Sequence, residues 1–364
     1  MATKSNGKPM MGQGAAAAVL LLPFISTYAL FLVYPFFRGV WISLHDWNLL
    51  AVAFNPDAKV FVGGENYIKV MWGKNIEWSA WSSPVLQALG IAGAALSAFL
   101  YKTQRASKVT AIALCIGSIV FFLLPGFHPG EGGRWYDRRF WPTVGNTLTF
   151  VGLAVPGVTI SAMLLAAVLN RETRAMGALR TLFFLSQVLS VTVVTLIWQI
   201  MFSPSQGLIA NVTKLFGGSP VVWLTDERFA MAAIVITTVW WSLGIAMILF
   251  LAGLQDISRD LYEAGSLDNA TGLRAFWHIT LPNLKRTITL VIVLQIILHF
   301  QVFGQSHLMT NGGPNDTTQV LVRYIYQTGF RDSDLGRASA MAVFLFLVMG
   351  AFSVLQFILG REDN

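Results

Sequence analysis

The sequence predicts an all-α polytopic membrane protein of about eight transmembrane helices, and three observations carry that expectation. Charged residues make up only 12% of the 364 residues, and apolar residues 55%. A soluble domain carries about 25% charged residues, because its surface must be hydrated; at half that, most of this chain must face lipid. Second, apolar runs recur along the chain, most of them exceeding the ~20 residues that cross a hydrocarbon core. Third, the basic residues fall between those runs rather than in a stripe. The net charge of +7 therefore reads as loop charge and not as a nucleic-acid surface.

Eight runs are recognisable, at 15–44, 85–101, 109–125, 143–169, 181–203, 230–254, 287–308 and 338–360. The run at 85–101 is the weakest, short and rich in Gly and Ala. The first run is not expected to be a cleaved signal peptide, because its small residues Ala15 to Ala18 precede the apolar core instead of following it. Cys115, the only cysteine, lies inside an apolar run and reads as a small buried residue.

Basic residues orient the spans. With the N-terminus inside, the segments 1–14, 102–108, 170–180, 255–286 and 361–364 hold 13 Lys and Arg in 68 residues. The outer segments 45–84, 126–142, 204–229 and 309–337 hold 11 in 112. The positive-inside rule then puts both termini in the cytoplasm of a bacterial inner membrane. Eight tryptophans, Trp41, Trp47, Trp72, Trp78, Trp81, Trp135, Trp141 and Trp223, lie in or beside outer segments, as an interfacial belt would. If 85–101 and 109–125 form a re-entrant hairpin or an outer lobe instead of two spans, the parity is unchanged. The 255–286 segment stays on the side of the N-terminus either way.

That 255–286 segment is far longer than a connection between two spans needs, and it keeps helical periodicity. Ser258 is placed to cap a helix whose early turns carry Asp260 and Glu263, where the helix dipole favours acids. Leu261, Ala264, Leu267 and Asp268 follow at three- and four-residue steps. Asn269 can take the left-handed conformation that ends a helix. A second short helix is expected over 272–279, and Pro282 suits the first turn of the next span. The product is a cytoplasmic helix–turn–helix that presents Phe276 and Trp277 to a partner. An amphipathic hairpin resting on lipid is the alternative.

Glu263-Ala264-Gly265, then Asn269, then Ile279-x-Leu281-Pro282 resembles the EAA loop of binding-protein-dependent ABC transporter permeases. The family pattern is Glu-Ala-Ala, three residues, Gly, nine residues, then Ile-x-Leu-Pro. The spacing matches throughout, with Gly265 in place of the second Ala and Asn269 in place of the Gly. Asn tolerates the left-handed turn; Gly265 lowers helix propensity by about 1 kcal/mol against Ala and is expected to loosen the first helix. Further stretches resemble the sugar branch typified by the maltose permease: Leu22-Pro23, Tyr34-Pro35, Glu65-Asn66-Tyr67, Asn146-Thr147-Leu148, Thr310 to Pro314 with Thr317-Thr318, and Gly336 to Ala340. The region 74–137 has no counterpart in that pattern.

The resemblance implies an importer permease of type I (MetI-like) architecture, with six helices in the core and an inserted hairpin. It divides the chain into an N-terminal helix and first periplasmic loop at 1–73, the inserted hairpin at 74–137, and a permease core at 138–364. Glu263, Ala264, Gly265, Asp268, Asn269, Ile279, Leu281 and Pro282 would couple to a separate ATPase subunit, present in two copies. A homologous second permease and an extracytoplasmic solute-binding protein complete the implied assembly, with Asn311, Gly312, Gly313 and Pro314 contacting the binding protein. No cofactor is expected on this chain. It carries no Gly-x-x-x-x-Gly-Lys-Ser/Thr, the usual cradle for nucleotide phosphates, so ATP and Mg would sit on the partner ATPase.

Polar residues inside a span are costly and usually face the bundle interior. Gln295 and His299 are four apart on one helix face, with Gln305 nearby and Gln301 turned away. Amide and imidazole both donate and accept, which suits a hydroxyl-rich sugar. Trp240, Trp241 and Ser242 in the sixth run offer stacking faces and a hydroxyl. A bonding role between helices, with the tryptophans as lipid anchors, is the alternative for all of them. His45, His128, His278 and His307 show no metal spacing, and the sequence offers no Ser/His/Asp set. Two other readings stand beside the permease. An ion-coupled secondary transporter usually needs an intramembrane carboxylate or an internal repeat; an intramembrane enzyme needs a nucleophile or metal ligands at membrane depth.

Overall fold

The computed structural model describes residues 13–81, 84–103, 108–123, 126–135, 137–171 and 173–361. The first span, α1 (Leu20–Ser43), contains a widened π-turn at Ala29–Val33 just before Tyr34-Pro35. Proline has no N–H and its ring presses on the carbonyl four residues back; a wider turn there relieves the clash without breaking the helix. Two short strands follow, β1 (His45–Asp46) antiparallel to β2 (Val60–Phe61), and then α2 (Glu65–Met71). Asn66 is buried and donates to the carbonyls of Ser43 (2.9 Å) and His45 (2.8 Å), tying α2 to the end of α1.

The next segment is closed by β3 (Lys74–Trp78) pairing antiparallel with β4 (Phe127–Arg134), with Trp78 opposite Phe127. Between them, α3 (Pro84–Lys102) and α4 (Lys108–Leu123) pack on each other as a hairpin. Ser97 donates across it to the Ala111 carbonyl at 2.6 Å.

The bundle proper begins with α5 (Phe140–Leu169). The run expected as one span at 181–203 is two helices, α6 (Arg174–Val188) and α7 (Val191–Met201), meeting at 105°. Leu189 and Ser190 are extended there, and the Ser190 hydroxyl caps α7 at the Val193 N–H (3.4 Å). α8 (Glu227–Gln255) is straight. After α9 (Arg259–Leu267), α10 (Leu273–Asn283) meets α11 (Lys285–Phe300) at 67°. A short helix α12 (Leu321–Tyr326) precedes the last helix, α13 (Leu335–Arg361).

Six of the eight expected runs are found as spans among the described residues. Four helices are long and apolar enough to cross a membrane singly, and the two bent pairs bring the number to six among the described residues. The remaining two runs form helices of 19 and 16 residues.

α5, α8 and α11 form the centre, with α13 closing one side. Two apolar clusters stack along it. One gathers Phe140, Phe150, Phe202, Ile234, Phe300 and Met341 at the end where residues 310–337 lie. The other gathers Ala162, Ala166, Met247, Phe250, Leu284 and Val291 at the end where residues 256–284 lie. α8 approaches α6 closely at Gly244, where a Cβ would lie 2.9 Å from the Phe184 Cα and 3.0 Å from the Phe183 carbonyl oxygen. Backbone cannot yield as a side chain does. Gly244→Ala is therefore expected to lower the thermal unfolding temperature in detergent, by the equivalent of about 1–3 kcal/mol of overpacking. Gly152→Ala, on α5 with nothing within 4 Å, is expected not to lower it.

Candidate functional site

Three groups of expected residues fall at different levels of the bundle. At one end, the 256–284 loop is the helix–turn–helix that the periodicity predicts. The Ser258 hydroxyl accepts the Asp260 N–H (3.2 Å), and Asn269 is left-handed with φ 59°. The second helix runs further than 272–279, through a π-turn at Phe276–Thr280 into Leu281-Pro282, the device that also precedes Pro35. Tyr262 and Thr280 share a hydrogen bond of 2.9 Å between the two helices.

Gly265 does not loosen the first helix, which runs through it to Leu267. The Ile279 Cδ1 lies 2.5 Å from where a Cβ on Gly265 would stand, so the glycine is the seat of the isoleucine. Glu263, Ala264, Asp268, Asn269 and Pro282 are exposed, while Ile279 and Leu281 are half-buried beneath them. The loop also exposes large apolar side chains: Leu267 at 89%, Leu273 at 77% and Trp277 at 60%. Phe276 is half-buried and packs edge-on against Trp277.

In the last two turns of α11, Gln295 and His299 are both buried, at the level where the two apolar clusters meet. The His299 Nδ1 lies 2.7 Å from the Gln295 backbone oxygen. A carbonyl only accepts, so Nδ1 carries the proton and Nε2 of the neutral ring is an acceptor. That Nε2 and the Gln295 Oε1 are buried without a hydrogen-bond partner. Two acceptors on one helix face are thus left without a donor among the described residues. The ring of Phe150 on α5 lies 5.9 Å from the His299 ring. Gln305 is buried and Gln301 exposed, but both lie beyond the end of α11 at Phe300, so they do not share its face.

Trp240, Trp241 and Ser242 on α8 are half-buried. Trp240 packs edge-on against Trp198 of α7 (5.8 Å), and the Trp241 indole N–H donates to the Leu189 carbonyl (3.2 Å) at the α6–α7 break. Trp241 therefore satisfies a carbonyl that the break orphans. These contacts turn toward α7 and the break, whereas His299 turns toward α5.

At the other end, residues 310–320 form a turn held by polar side chains. Asn311 is left-handed (φ 50°), Gly312 has φ 80°, and the Gly313–Pro314 bond is cis. Thr318 donates its N–H to the Gly312 carbonyl (3.2 Å) and its hydroxyl to that of Gly313 (2.7 Å). Arg323, 4% exposed, donates to the Asn311 Oδ1 (2.7 Å) and to the Gln319 Oε1. A Cβ on Gly312 would meet both Gln319 and Arg323, so this position needs glycine for space as well as for its dihedrals. Burial pulls the Arg323 guanidinium below its ordinary value. Burial, and then the hydrogen bond to Asp137, push the Tyr324 phenol well above its own, so its O–H remains a donor at 2.7 Å from both Asp137 oxygens.

The shorter marks of the sequence resemblance converge here as structural pins. Asn146 donates to the carbonyls of Asp316 (2.7 Å) and Gln319 (3.2 Å), and the Thr147 hydroxyl accepts the Leu321 N–H (2.9 Å). Gly336 lies so near His45 and Asn66 that a Cβ would stand 2.4 Å from the His45 carbonyl oxygen. Sequence reasoning missed Gln319, Arg323 and Asp137. An arginine in an otherwise apolar short helix was the one local signal.

A bundle of up to six spans, with an exposed helical loop at one end and a locked polar turn at the other, is the architecture of a membrane permease. The profile of the binding-protein-dependent transport system inner membrane component family matches residues 135–362, and the chain belongs to that family. It is a multi-pass inner-membrane transport permease. It is similar to the lactose transport system permease protein LacF of Rhizobium radiobacter, 34% identical over 63% of this chain and 78% of that protein. It is also similar to the probable ABC transporter permease protein YurN of Bacillus subtilis, 25% identical over 97% of this chain and all of that one. Among solved structures it resembles a chain of a bacterial alginate ABC transporter in complex with an alginate pentasaccharide-bound periplasmic protein, with TM-score 0.55 and 26% identity over 61% of this chain and 77% of that one.

Arg323→Met would leave the Asn311 and Gln319 acceptors without their donor. The expected loss is about 1–3 kcal/mol, read as a lower unfolding temperature of the purified protein in detergent.

Proposed function

We propose that this permease works in an ATP-driven importer of a carbohydrate, a di- or oligosaccharide or a polyol. In it the 256–284 loop docks on an ATPase subunit, and the turn at 311–314 receives solute from an extracytoplasmic binding protein. The observation that carries the reading is the exposed face of that loop, with Glu263 and Ala264 beside uncovered Leu267, Leu273 and Trp277. A loop resting on its own bundle would bury those side chains; a loop built to meet a partner leaves them out. α11 runs from this loop to the region of the turn, so movement at one end has a rigid path to the other.

ATP and Mg would be held by two ATPase copies, with hydrolysis on those chains, and a homologous second permease would complete the path. Both termini and the loop would lie in the cytoplasm. Lactose transport by one relative, and an alginate pentasaccharide on the binding protein of another, support a saccharide as solute. The free acceptors of Gln295 and His299 support it chemically, since a sugar hydroxyl is a donor. Trp240, Trp241 and Ser242 would line the same path from α8. All 18 acidic residues fall outside the apolar runs, which disfavours an ion-coupled transporter built on an intramembrane carboxylate.

Glu263→Lys is expected to abolish uptake in proteoliposomes of the assembled transporter while the protein still inserts and purifies with its partner permease. Wild-type uptake by that variant would refute the docking role. Gln295→Ala and His299→Ala are each expected to weaken apparent solute affinity about 10-fold or more, one lost hydrogen bond in a dry site being worth ~1.5 kcal/mol. Unchanged affinity and rate in both would remove them from the path.

A further inference from the structure

Beside the polar turn, outside the solute path and the coupling loop, the surface holds a groove of about 560 Å³ whose wall is dominated by arginine. Arg134 closes β4, Arg138 and Arg139 lead into α5, and Arg337 comes from the first turn of α13. Arg139 is paired with Asp316 (3.3 Å) and Arg337 with Asp334 (2.6 Å). Arg134 and Arg138 are exposed, and their side chains have no hydrogen bond or ion pair among the described residues. The buried Asp137 at the base has both oxygens occupied by the Tyr324 hydroxyl, and its Oδ1 also accepts the Arg139 N–H at 3.0 Å.

Four guanidinium groups set against the three carboxylates of Asp137, Asp316 and Asp334 leave one positive charge, and two arginines are without partners. From this arrangement we propose that the groove binds a phosphate ester anion, with the phosphodiester of an anionic lipid headgroup as its source. A guanidinium presents a planar fork of donors that matches two phosphate oxygens at once, and a phosphodiester carries the single negative charge that balances the groove. Depth favours the lipid source. The groove opens where α5 enters the hydrocarbon region at Phe140, between Trp135, which forms part of its wall, and Trp141 on the first turn of the helix. Tryptophans at a span end mark the headgroup layer. The N-terminus of α5 adds its dipole to the same anion.

The full chain reconstituted in nanodiscs tests this. The unfolding temperature is expected to be higher in phosphatidylglycerol than in phosphatidylcholine. The double variant R134Q/R138Q is expected to lose that difference while matching wild type in phosphatidylcholine; neither arginine holds the fold, so loss of the difference is not loss of the protein. R134K/R138K keeps the charge without the fork and is expected to retain only part of the shift. In detergent, a rise with inorganic phosphate that the Gln variant loses would assign the same chemistry to a soluble phosphate. An undiminished lipid difference in R134Q/R138Q overturns the proposal. So does the absence of any arginine-dependent response to lipid or phosphate, which would leave the groove to an acidic protein segment.

Discussion

Hydrocarbon offers no hydrogen bonds, so every backbone polar group at membrane depth must find its partner within the protein. That constraint decides where this chain can break its helices. The sharp turn between α6 and α7 stands because the Trp241 indole and the Ser190 hydroxyl take up groups the break sets free. The turns before Pro35 and Pro282 widen into π-geometry rather than break. The irregular stretch 311–320 is lined by Thr318, Gln319 and Arg323, which donate to and accept from one another and the backbone. Irregular backbone occurs where polar side chains cover it.

Nine buried side-chain polar atoms among the described residues have no hydrogen-bond partner, among them Thr159 Oγ1 on α5 and Gln187 Oε1 on α6. Two of the nine lie four residues apart on one face of α11. The Gln295 Oε1 and His299 Nε2 are left open in the last two turns of the central helix. On the proposed reading, the donor they lack arrives with the solute, and the same helix would link the two ends at which partners would act.

Much of this was legible in the sequence. Composition gave the membrane class, and the apolar runs located the core helices. Ser258, Asn269 and Pro282 marked the 256–284 helix–turn–helix almost residue by residue, because caps and left-handed turns are local chemistry. The break at Leu189 was not legible: it carries neither Gly nor Pro, and its stabilising partner, Trp241, is 52 residues away. The pairing of Tyr324 with Asp137 spans 187 residues, and nothing in either local sequence announces it. Gly265 illustrates the opposite error: propensity alone argued for a weakened helix, but the glycine is where Ile279 packs.

The central claim is that the exposed 256–284 loop is the docking element for a motor subunit. Cys115 is the only native cysteine, so after Cys115→Ser a cysteine at Ala264 can be the sole thiol on this chain. The direct measurement is cross-linking of that thiol to the ATPase subunit in membranes containing the assembled transporter. A cross-link to the ATPase whose yield changes when ATP is added is the result this account predicts. An Ala264→Cys thiol that never reaches the ATPase, but reacts with an impermeant maleimide from outside the cell, would contradict it.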